Sequence, residues 1–249
     1  MRTRIRFPAL RRAGAQTSRR RQRGATMVEF AVASPFALLL VLGVIQLGLM
    51  YSAKEVVNEA AFLAAREGAV QNARVDAMNA AMVKALIPFY QDLSQGDTTR
   101  LLSASGRAFA DTTCIPLLQC FLKVEKLNPT PAAFDDFGVS GNAMQGQTYI
   151  PNDNWEYRTH AQGPTSGMSL QDANALKIKV TYGYELKVPL MKTVFNSVMC
   201  GVVNQVRAFS DWNSTGLGTS GDCFNYYSKG RVPIVAYATV QMQTPALKD

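Results

Sequence analysis

The sequence predicts an α+β protein in which one N-terminal transmembrane helix continues into a stalk helix and packs on a head with a small antiparallel sheet. Three observations predict it. Phe30 to Ala53 is a run of 24 residues without a charge. Helical spacing of apolar residues persists beyond that run as far as Pro88. Leu176 to Val188 alternates apolar and polar residues over thirteen positions, the period of a half-buried strand. These divide the chain into a leader over 1–24, a membrane helix over 25–53, a stalk over 54–88 and a head over 89–249 with a loop-rich insertion over 128–170.

The leader holds most of the charge imbalance. Of 26 basic residues against 18 acidic ones, nine are arginines in the first 24 positions (Arg2, Arg4, Arg6, Arg11, Arg12, Arg19, Arg20, Arg21 and Arg23), where no acid occurs. From Ala25 onward 17 basic residues face 18 acidic ones. A nearly neutral body excludes a basic nucleic-acid-binding domain despite the formal net charge of +8. The composition also excludes a coiled-coil rod, a collagen-like repeat and a wholly disordered chain.

The apolar run spans roughly 36 Å as a helix, enough to cross a hydrocarbon core about 30 Å thick. It is too long for a secretory h-region, and no A-x-A cleavage pattern follows it. The basic leader before it and the cancelling Lys54 and Glu55 after it place the N terminus in the cytoplasm by the positive-inside rule. Pro35 removes one helical hydrogen bond and predicts a bend. Gly43 and Gly48 are five apart and make no small-xxx-small motif.

The junction of leader and span reads Arg23, Gly24, Ala25, Thr26, Met27, Val28, Glu29, Phe30. A carboxylate at the mouth of a membrane helix is costly to carry inward, by roughly 2.5–3.5 kcal/mol at the helix centre, so it asks for a reason. Thr26-x-x-Glu29 fits a capping box, in which Thr26 accepts from the amide of residue 29 and Glu29 reaches back. That reading leaves Gly24 and the arginines unexplained.

A second reading takes in all of them. Glycine with glutamate at the fifth residue after it, then Phe30 and a long apolar helix behind a basic leader, resembles the class III signal of type IV prepilins. The stretches RGATMVEFAVASPFALLLVLGVIQLG (23–48) and AFLAAREGA (61–69) resemble the TadE-like pseudopilin family of the Tad (tight adherence, Flp-type) pilus system. The resemblance covers about a fifth of the chain and implies a pilin-like architecture. It implies cleavage between Gly24 and Ala25 by a membrane-embedded aspartyl prepilin peptidase at the cytoplasmic face. Glycine suits a protease cleft where a side chain would clash. It further implies that the new Ala25 ammonium meets Glu29 of a neighbouring subunit, a charge pair that would fix axial register. The residues alone leave the intersubunit pair and the cap both open.

Beyond the span, Val75, Met78, Met82 and Leu86 recur at helical spacing, with Arg74, Asp76 and Lys84 off the stripe. An unbroken helix from Met27 to Ile87 would reach roughly 90 Å. Gly68 predicts a bend or break, because an interior glycine costs about 1 kcal/mol relative to alanine. Leu101 to Phe121 reads as a short helix or an irregular connection, and 128–170 as exposed loops rich in proline and glycine. In the strand over 176–188, Gly183 predicts a bulge. Residues 190–206 read as a helix weakened by valines, and Val232 to Met242 as a final strand.

Cys114, Cys120, Cys200 and Cys223 all fall beyond the span. An even number outside the cytoplasm suggests two disulfides. Of the three possible pairings, Cys114 with Cys120 and Cys200 with Cys223 each close a short loop; free buried thiols are the alternative. The spacings match no zinc pattern, and no cofactor or metal is expected. Gly216 to Gly221 spells G-x-G-x-x-G but lacks a βαβ setting. His160, the single histidine, lies in the loop-rich stretch, and the adjacent Asp135 and Asp136 have no partner set for acid–base work. Trp155 and Trp212 read as buried packing residues, with surface anchoring of a partner as the alternative.

The expectation is a non-enzymatic pseudopilin of the inner membrane with a periplasmic head. By the resemblance, its partners are the prepilin peptidase, other Tad pilus subunits and inner-membrane assembly components, with no nucleic acid. The competing class is a single-pass, signal-anchored envelope protein whose head binds a surface or periplasmic ligand and which keeps its leader. A membrane-tethered hydrolase finds no nucleophile, base and orienting group in the sequence.

Overall fold

A computed structural model of the chain describes residues 25–91, 94, 96–112, 121–141, 146–154, 157–158, 160–201 and 225–248. The elements run α1 (Ala25–Val70), α2 (Val75–Leu86), α3 (Asp97–Thr112), β1 (Leu122–Asn128), α4 (Pro131–Phe137), β2 (Val139–Ser140), β3 (Thr148–Ile150), α5 (Leu170–Ala173), β4 (Ala175–Glu185), α6 (Met191–Asn196), β5 (Arg231–Gln241) and β6 (Ala246–Leu247). The chain divides into two compact units, Met1–Val41 and Leu42–Asp249. In the first, every described residue belongs to α1. The second is α+β and holds two antiparallel three-stranded sheets, ordered β1-β4-β5 and β2-β3-β6.

The alternation seen in the sequence becomes the central strand of the larger sheet. Leu176, Ile178, Val180, Tyr182 and Tyr184 of β4 are buried, as are Val232, Ile234, Ala236 and Ala238 of β5. The register sets large against small: Ile178 faces Ala238 and Val180 faces Ala236. The small β5 side chains leave room for α1 to pack on that face. On the opposite face Glu125 of β1 pairs with Lys179 of β4 across the strands, at 3.4 Å, and with Lys123 at 2.5 Å. The hydrogen bond from Lys123 is the main cause holding the Glu125 carboxyl below its ordinary range.

Gly183 makes no bulge. The β4–β5 register passes through it unbroken, Gly183 facing Pro233, and the register shift lies instead on β1 between Lys126 and Asn128. A Cβ at 183 would stand 2.9 Å from the Tyr226 ring and 3.1 Å from Phe121 Cβ, so glycine is there for close approach.

Within the second unit α1 lays a small-residue stripe on the sheet. Ala53, Val57, Ala60, Ala61, Ala64, Ala65 and Ala69 are buried at the spacing of one helix face. The expected break at Gly68 is absent: α1 runs through it to Val70. The helix breaks a few residues later, over Gln71–Arg74, where Asn72 and Ala73 adopt φ of 59° and 60°. The last carbonyls are satisfied from outside the helix, as a buried helix end requires. Ala69 O accepts from Gln243 N, Thr244 N and Thr244 Oγ1 at 3.0–3.1 Å, and Asn72 Nδ2 donates to Pro245 O at 2.8 Å. The chain then turns into α2, whose Met78, Met82 and Leu86 are buried as their spacing predicts.

The stretch read as loops is more ordered than its prolines and glycines suggest. Thr130 caps α4 by accepting from Ala133 N at 3.2 Å, with Pro131 opening the helix. β2 and β3 follow and pair with each other, and β6 pairs with β3 to complete the smaller sheet. Of the helix expected over 190–206, α6 covers Met191–Asn196 and passes into a π turn over Ser197–Gly201, and 202–206 lie outside the described residues. The strand expected from Val232 is β5, beginning one residue earlier.

Candidate anchor and assembly segment

Helix α1 is described from Ala25 onward and carries Thr26 and Glu29 three residues apart. Gly24 lies outside the described residues, as do the side chains of Ala25 and Thr26. Glu29 is exposed, and no ion pair to it is found among the described residues. Phe30, one residue on, is 73% exposed. The carboxylate and the ring thus belong to a helical stretch whose apolar side chains have no described cover.

From Met27 to Ile45 no residue of α1 is buried, although Val28, Val32, Phe36, Leu38, Leu40, Val41 and Val44 are all large and apolar. A helix apolar on every side belongs inside a protein core or inside a membrane. By length and composition α1 is the one described helix able to cross a bilayer.

The first buried residue of α1 is Gln46, while Leu47, Leu49 and Tyr51 remain exposed. The Gln46 side chain is fully buried, and Oε1 accepts the Val188 amide at 3.0 Å. Met50 packs against the small cluster of Leu186, Tyr227 and Val232, and Ala53 is buried in the main core. Residues 46–53, within the stretch that charge counting assigned to the membrane, are therefore partly covered by the chain's own fold. Lys54, the first cation after the apolar run, turns its ammonium onto the Val235 carbonyl of β5. Burial pushes its pKa down. Its neighbour Glu55 is exposed.

The other singled-out residues divide cleanly. Cys114, Cys120 and Cys223 lie outside the described residues, as do the Cys200 side chain, Trp155, Trp212 and the glycine motif at 216–221. His160 is exposed. Asp135 pairs with Lys248 at 3.0 Å. Asp136 accepts from Ser166 N at 2.7 Å and from Thr165 N at 3.1 Å, and its carboxyl is held below the usual range, chiefly by Ser166. Gly163 lies where a Cβ would overlap that carboxylate. These two acids are structural clasps.

Gln46 is not among the residues that the sequence pattern singled out. The usable signal was a lone amide, able to donate and accept, inside 24 uncharged residues. In comparisons with known proteins, residues 24–66 match the family model described as TadE-like protein. No curated protein and no solved structure matches the chain.

Proposed function

We propose that the TadE-like segment over residues 24–66 makes this chain a pilin-like component of the Tad pilus system, made as a precursor and cleaved between Gly24 and Ala25. One observation carries the reading: the matched segment coincides with a long apolar helix that leaves its side chains exposed from Met27 to Ile45. Such a surface is stable only among lipids or among like helices.

In this reading the arginine leader stays in the cytoplasm and the second unit stands on the periplasmic side of the inner membrane. Cleavage removes nine positive charges and leaves a nearly neutral subunit. The new Ala25 ammonium and Glu29 supply opposite charges one helical turn apart, available to adjacent subunits. The size of the head favours an accessory subunit over the repeating one, and a structural role over an enzymatic one. The prepilin peptidase and other Tad subunits are its partners.

Co-expression with a prepilin peptidase tests the reading by N-terminal sequencing and intact mass. The expected product begins at Ala25, and Gly24→Leu retains the full leader. A chain that keeps its leader beside active peptidase would overturn the proposal and favour a plain signal-anchored binding protein.

A further inference from the structure

We draw no further inference here: the strongest candidate, the exposed apolar patch of Phe62, Leu63 and Val70 on the stretch of α1 that belongs to the second unit, carries nothing because nothing in the structure shows what covers it.

Discussion

At Gly68 helix α1 comes so near to α2 and β4 that a Cβ would stand 2.7 Å from Met78 Cγ and Sδ and 2.9 Å from Leu176 Cδ2. Alanine there gains about 1 kcal/mol of helix propensity, and the flexible Met78 can yield to it. A branched side chain cannot be absorbed so easily. Gly68→Leu is expected to destabilise the second unit by about 1–3 kcal/mol, the cost of overpacking a filled core. Urea unfolding followed by near-ultraviolet circular dichroism measures it, and a midpoint equal to that of the unaltered protein would show that the contact is slack. Gly68 also shows where reading by residue type stops. Propensity sees glycine as a weakness in a helix, whereas here it is the reason the helix can lie against its neighbours. Two methyl-sized distances decide between these meanings, and neither is written in the residues on either side of it. Gln46 is a parallel case: the Val188 amide that its side chain accepts lies 142 residues away.

Among elements, the long-period patterns were legible and the short ones were not. The alternation of β4 and the Met78, Met82, Leu86 stripe of α2 appear in the structure because each repeats over enough residues to exceed chance. The edge strand β1 was missed because LKVEKLN is short and carries three charges among seven residues, the composition of a half-exposed edge. The smaller sheet was missed because β2 and β6 are two residues each and owe their existence to pairing with β3. Asp136 holds this region together, binding the amides of Thr165 and Ser166 from the end of α4. Its folded-state pKa is depressed below the ordinary 3.8, so its stabilisation is complete above that value. It is lost only as pH falls through the lower folded-state value. Asp136→Asn is expected to weaken the clasp at neutral pH and to remove its acid dependence. Hydrogen exchange at the Thr165 and Ser166 amides reads this directly, as protection factors falling in the variant at neutral pH and in the native chain only in acid. Equal protection in both chains at neutral pH would assign the loop's order to Gly163 and the backbone alone.

For the molecule as a whole, the sequence carried the anchor and the head's α+β class. The same residues left open how Glu29 is used. An exposed carboxylate four residues after Ala25 serves a neighbour if Ala25 becomes a free amine, and serves its own helix otherwise. Glu29→Gln keeps shape and hydrogen bonding while removing charge. In the proposed role it is expected to leave processing at Ala25 intact and to reduce co-purification with other Tad subunits. Normal processing with undiminished co-purification would leave Glu29 the cap alone. A loss of processing would instead place Glu29 in recognition by the peptidase.

The alanine stripe of α1 is made early and covered late. Lys54 finds its acceptor 181 residues downstream, and the Ala69 carbonyl waits for Thr244, 175 residues away. While the ribosome is still at work, the first half of the polypeptide therefore holds a bare greasy seam that its own distal strands have yet to be synthesised to shield. Contacts so remote in sequence form slowly, so that seam stays uncovered until the final residues arrive.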